Sequence, residues 1–136
     1  KMGYNKEKRS VILFLLVLSI MSSTAFAYSN EERDKIKEEI REYVLVNFPI
    51  FEYYNIKLEF RDNDYMQKCG YYYQNQDKVR LIISCFIDGD NINYDSVYDM
   101  TTHELLHYYC EKFYGDYDVT HTKCFSPNYN LGLSVY

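Results

Sequence analysis

At 136 residues with 47% hydrophobic content, the chain has room for one compact domain and excludes a second independent core. It carries 15 basic against 20 acidic side chains, a formal net charge of −5. Nucleic-acid affinity rests on cationic neutralisation of phosphates, so an acidic balance argues against nucleic acid, and no nucleic-acid partner is expected.

Residues 1–27 read as a secretory signal peptide. A basic start (Lys1, Lys6, Lys8, Arg9) precedes the apolar run VILFLLVLSI, and the small residues Ala25 and Ala27 set up cleavage before Tyr28. Lys1 ahead of Met2 reads as a boundary remnant. An apolar run of about ten residues falls short of the roughly 20 needed to cross a bilayer, so cleavage is expected over anchoring. No cysteine stands at the cleavage site to take a lipid. Cleavage removes those four basic residues and Glu7, leaving 11 basic against 19 acidic side chains and a net charge of −8 for the domain at 28–136. Seventeen tyrosines and no tryptophan give an amphipathic surface suited to peptides or glycans. The protein is thus expected to be secreted or extracytoplasmic, without stable membrane insertion after cleavage, and monomeric. Its four cysteines (Cys69, Cys85, Cys110, Cys124) are then expected to pair, and their spacing matches no zinc knuckle.

The first expected element is an amphipathic helix in SNEERDKIKEEIREYVLVNFP. Ser29 and Glu32 form a capping box, Ile36, Ile40, Tyr43, Val44 and Asn47 share one face, and Pro49 marks the end. In YNIKLEFRD, Ile56, Leu58 and Phe60 alternate with Lys57, Glu59 and Arg61, the period of a half-buried strand. YMQKCGYYY and VRLIISCFI are two further strands around a polar turn in QNQDK. A hairpin centred on residues 75–78 makes Cys69 and Cys85 neighbours and predicts a disulfide between them. DGDNINYDS is expected to be a polar loop. VYDMTTHELLHYYCEKFY follows as a second helix, capped at its C-terminal end by Gly115. The order predicts an α+β fold: an N-terminal helix, a short antiparallel sheet and a second helix that carries the chemistry.

That chemistry lies in TTHELLHYYC. On a helix turning about 100° per residue, His103 and His107 at i and i+4 project from one face and can reach one ion. Glu104, one step around, can approach a water molecule on that ion. This is the content of the HExxH motif: two zinc ligands and a general base at set angular offsets. A catalytic zinc takes a third protein ligand and leaves a fourth position open. The Gly and His of a metzincin are replaced by Cys110 and Phe113, and no glutamate follows Glu111 to serve as in a gluzincin. Glu111 lies on the same helix, where it would have to stretch along the axis. His121, Asp116 and Asp118 remain. The helix rises roughly 10 Å from His107 to Tyr114, and the seven residues from Gly115 to His121 can span up to about 23 Å. Imidazole is the commonest metal-binding side chain, which favours His121 as the third ligand. All three histidines of the chain are then used.

HExxH with His121 followed four positions later by Phe125 resembles the SprT-like branch of zinc metallopeptidases, and the strand hairpin before the helix is similar to that family as well. The matching residues are His103, Glu104, His107, His121 and Phe125. The chain departs from the family at Thr120, where glycine is common. It also lacks a cysteine-rich zinc ribbon within these 136 residues, and its acidic, exported character differs from the family's intracellular, DNA-associated members. The resemblance implies a small zincin-like fold and a zinc site, without the DNA-linked role. Cys110 and Cys124 each lie three positions after a proposed ligand, so a bridge between them would tie the helix to the loop bearing His121.

The expected function is zinc-dependent hydrolysis of peptide bonds in a peptide or protein substrate, with Zn2+ held by His103, His107 and His121 and Glu104 as general base. Tyr108, Tyr114, Tyr117 and Tyr129 are candidate oxyanion donors, and Asp99 could orient an imidazole. The competing expectation is a secreted binding protein on the same scaffold, with a zinc ion that serves structure alone.

Overall fold

The computed structural model describes residues 28–125; the expected signal peptide at residues 1–27 and the candidate oxyanion donor Tyr129 lie outside the described residues. Contacts divide the chain into residues 1–33 and 34–136. In the first unit the described residues form the capped start of a helix. The Ser29 hydroxyl accepts the Glu32 N–H at 3.2 Å, and Glu32 returns its carboxylate to the Ser29 N–H at 2.7 Å. Both amide donors would otherwise lack an intrahelical partner.

That helix, α1 (Asn30–Asn47), continues into the second unit, where Ile40 and Val44 are fully buried. Pro49 does not simply stop the chain, because it caps a one-turn helix, α2 (Ile50–Tyr53), which inserts Phe51 into the core. Strands β1 (Lys57–Arg61), β2 (Gly70–Tyr73) and β3 (Lys78–Ile82) form a sheet in the order β1-β3-β2. A short hairpin of β4 (Ile87–Asp88) and β5 (Asn91–Ile92) leads to the long helix α3 (Tyr94–Tyr114). The result is the expected α+β domain: an N-terminal helix, a short sheet and a C-terminal helix.

The sheet is mixed. β2 and β3 form the expected antiparallel hairpin, with Tyr72 opposite Val79. β1 joins β3 in parallel, Leu58 opposite Val79, because the long connection from Asp62 to Cys69 carries the chain across before β2 begins. The expected strand from Tyr65 shortens to Gly70–Tyr73. The residues ahead of it fold around the Asp64 carboxylate, which accepts the Lys68 N–H at 3.2 Å and the Tyr71 hydroxyl. VRLIISCFI likewise breaks at Ile82: a single 3-10 turn, Ile83–Cys85, separates β3 from β4. Within the expected polar loop, Asp88, Gly89 and Asn91 build the β4–β5 turn, and Gly89 supplies the left-handed φ of 60° that it needs.

Sheet, helices and connections close over one core that includes Val44, Phe51, Val79, Leu81, Phe86, Val97 and Leu105. Val79 and Leu81 alternate inward along β3 at 0% exposure, and burial of such side chains stabilises by about 1.5–3 kcal/mol each. The opposite face of the sheet is polar. There Arg80 donates to the Glu59 carboxylate at 3.0 Å and lies 4.9 Å from the centre of the Tyr73 ring. Both expected disulfides are present, Cys69 with Cys85 and Cys110 with Cys124. No helix among the described residues is long and apolar enough to cross a membrane.

Candidate metal centre

Helix α3 begins at Asn93, whose side chain accepts the Ser96 N–H at 3.1 Å, and ends at Gly115 in the left-handed conformation with φ 67°. Between these caps, Val97, Thr101, Leu105 and Tyr108 turn into the core at helical spacing. Packing of that stripe against β2 and β3 rotates the neighbouring stripe, His103, Glu104 and His107, towards β2 and the loop after the helix.

His103, His107 and His121 meet there: each offers a ring nitrogen, and these atoms all lie within 4.8 Å of one another. Nε2 of His107 and Nε2 of His121 stand 3.1 Å apart. Two imidazoles on a tetrahedral zinc ion, at about 2.0–2.1 Å each, would be separated by about 3.3 Å. Nδ1 of His107 lies 2.8 Å from the carbonyl oxygen of Tyr117. A carbonyl only accepts, so that nitrogen carries the proton and the Nε2 lone pair is left for the centre. Burial, reinforced by the neighbouring imidazoles, lowers the His103 pKa to about 4. Burial also lowers that of His107, against the opposing pull of the Tyr117 carbonyl. Neutral imidazoles with converging lone pairs form a donor set suited to a divalent metal ion. Phe125 packs on all three rings, with centroids 4.5 to 4.7 Å away.

The other sequence candidates are engaged elsewhere. Asp118 is buried, and its carboxylate accepts three backbone N–H groups, from Thr122 at 3.0 Å, Lys123 at 2.9 Å and Cys124 at 2.8 Å. Burial raises its pKa, but the three bonds together outweigh that effect and hold the carboxyl below its usual range. Asp116 accepts the Asp118 N–H at 2.8 Å and pairs with Lys123. Glu111 accepts the Asn75 N–H at 2.9 Å, which ties α3 to the β2–β3 turn. Both aspartates therefore shape the loop that delivers His121, which itself adopts a left-handed φ of 55°. Cys110, Cys124 and Asp118 also place donor atoms within 4.8 Å of one another. Here the two sulfurs are bonded to each other and the carboxylate is filled by amides, so this group serves as a staple.

Glu104 is 5% exposed, and desolvation raises its pKa from 4.5 to about 7, against the lowering effects of the Tyr72 N–H bond and the charge of Lys68. It reaches this position because β2 presents Gly70. A Cβ on Gly70 would stand 2.9 Å from Glu104 Oε1 and 2.9 Å from Met100. The sequence signal for this contact is a glycine within a strand pattern, which marks close approach. Gly70→Ala should displace the flexible ends of Glu104 and Met100 and leave the backbone in place. We expect any Glu104-dependent turnover to fall by about tenfold or more while the melting temperature changes little. A large drop in melting temperature would show that the contact serves folding instead.

A cleft of about 400 Å³ opens over the histidines and Glu104; its remaining wall includes Gln67, Lys68, Tyr71, Met100, Tyr117 and Val119. Of the candidate oxyanion donors, Tyr117 lines this cleft and stacks on His107 at 4.7 Å. Tyr108 is 4% exposed and packs against Tyr72 in the core, and Tyr114 sits exposed at the end of α3. Asp99 is exposed and stands outside the cleft wall, where its charge acts on Tyr43. Tyr71, Lys68 and Gln67 were not foreseen as site residues, since nothing in a sequence marks which part of a turn or strand end borders a helix further along the chain.

In metal-free protein the site carries opposed proton linkages. His103 and His107 have folded pKa values below the ordinary 6.5, so the unfolded chain takes up protons first and stability falls as pH drops below about 6.5. Glu104 has a folded value above 4.5, so its contribution is complete below about 4.5 and is lost as pH rises towards about 7. Thermal melts of metal-free wild type between about pH 5 and pH 7 should therefore vary little. Metal-free Glu104→Gln lacks the opposing contribution and should melt progressively higher as pH rises over that window. A flat profile in the variant would contradict the linkage.

Comparison with protein families, with characterised proteins and with solved structures finds no match to this chain.

Proposed function

We propose that the chain is a zinc-dependent peptidase acting in an oxidising, extracytoplasmic compartment, and that it belongs with the SprT-like zincins it resembles. The observation that carries this reading is the convergence of His103, His107 and His121 beside the buried carboxylate of Glu104, at the floor of an open cleft. Three imidazoles with room for a fourth ligand suit a catalytic zinc, and a site serving structure alone would be closed by a fourth protein ligand. Zinc bound there would lower the pKa of a water molecule and polarise a substrate carbonyl. The two disulfides support an oxidising compartment.

The chain's own residues divide the remaining work. The Tyr117 carbonyl holds His107 in the tautomer that leaves Nε2 free. The Tyr72 N–H orients Glu104, whose carboxylate takes a proton from the attacking water and returns it to the leaving amine. β2 is an edge strand among the described residues. The Cys69 carbonyl accepts from Ile82 on the inner side at 2.9 Å, so strand alternation turns the backbone groups of Gly70 to the open edge. An extended peptide can pair along that edge and present its bond to Glu104.

The test is metal content and peptide hydrolysis on the same preparation. Protein purified from rich medium should hold one zinc ion per chain and cleave a peptide library; chelation should abolish cleavage and added zinc should restore it. Protein that holds no metal, or cleavage that survives chelation, overturns the proposal.

A further inference from the structure

We propose that Lys68 makes the cleft selective for substrates that carry a carboxylate beside the scissile bond. This rests on the peptidase reading above and names the class of peptide it takes. Among the described residues of the cleft wall, Lys68 is the one with a permanent positive charge, set in a chain with 20 acidic and 15 basic side chains.

Its backbone is pinned from both sides. The Lys68 N–H donates to Asp64 at 3.2 Å, and the next residue, Cys69, is bonded to Cys85 while its carbonyl accepts from Ile82 at 2.9 Å. The ammonium lies 5.3 Å from the centre of the Tyr71 ring, another part of the cleft wall. Lys37, Lys78, Arg80 and Lys112 are each within ion-pair distance of a carboxylate; among the described residues none lies that close to Lys68, whose charge acts on the buried Glu104 from further off. A cation held at the rim beside an aromatic face, with no carboxylate within ion-pair distance among the described residues, is placed to take one from the substrate. Two sources fit: an Asp or Glu side chain near the cleaved bond, and the α-carboxylate of a short peptide.

The experiment uses matched peptides that differ only in Glu against Gln flanking the scissile bond, each with a free or an amidated C-terminus. Wild type, Lys68→Gln and Lys68→Arg are compared by kcat/KM and by Kd from fluorescence anisotropy. Wild type should favour the carboxylate-bearing peptide by about fivefold at low salt, less as salt is raised. The ratio should fall to near one in Lys68→Gln and return in Lys68→Arg. A ratio that follows the Glu side chain assigns an acidic side-chain subsite, and one that follows the free C-terminus assigns the α-carboxylate. An unchanged ratio in Lys68→Gln overturns the inference. If wild type cleaves none of the peptides, the peptidase reading fails on its own and Kd decides for Lys68: equal or absent binding of the charged and neutral peptides overturns it.

Discussion

Glu104→Gln should leave one metal ion bound per chain and lower peptide hydrolysis by about 10²–10⁴-fold, the usual contribution of a positioned general base. Gln is isosteric and can still accept the Tyr72 N–H through its amide oxygen, so the three imidazoles keep their neighbours. It cannot take a proton. The variant therefore separates the two functional readings of the same scaffold, because a metal that serves structure alone has no use for a carboxylate beside it. Metal content by mass spectrometry and kcat/KM on one preparation make the measurement. Hydrolysis that persists unchanged with the metal retained would sink the catalytic assignment, whereas loss of the metal would give Glu104 a role in assembling the site.

The parts of the molecule legible in the sequence are those governed by local periodicity. Helix α3 was readable from its apolar stripe and Gly115, and the i, i+4 spacing of His103 and His107 then had to place both rings on one face. His121 was reachable by a count of chain length, and the preference of metal ions for imidazole set it above Asp116 and Asp118. The structure gives that choice a physical basis: Asp116 and Asp118 fold the loop, and Glu111 holds the β2–β3 turn. Strand boundaries were less legible. Apolar content continues through VRLIISCFI, while the 3-10 turn that ends the strand is closed by the Phe86 N–H on the Ile83 carbonyl at 3.0 Å and tied back by the Ser84 N–H on the Asp62 carbonyl at 3.1 Å. The parallel pairing of β1 with β3 was hidden for a related reason. Alternation of Leu58 and Phe60 states that a strand has two faces, and it is silent about the direction in which a neighbour runs. Gly70 lay between the two cases, since its glycine was visible while the partner it makes room for lies 34 residues further along the chain.

Removal of the Cys110–Cys124 bridge by paired Ser substitutions should destabilise the fold by about 3 kcal/mol, the loop-closure entropy expected for a sequence separation of 14. For a domain of this size that lowers the melting temperature by about 10–20 °C. The Cys69–Cys85 bridge closes a similar separation of 16 and should cost a similar amount. The two pairs differ in what they hold. Cys110 lies on α3 one turn beyond His107, and Cys124 lies three residues beyond His121, with its N–H on the Asp118 carboxylate. Loss of that bridge frees the loop that presents the third imidazole, so the ordering cost now paid by the covalent bond falls on metal binding. Zinc affinity, measured by chelator competition well below both melting temperatures, should drop by about tenfold or more in the Cys110/Cys124 variant and by less in the Cys69/Cys85 variant. Equal losses of affinity would mean that both bridges act through global stability alone. A larger loss in the Cys110/Cys124 variant would show that this bridge keeps the loop of His121 in the geometry that a metal ion requires.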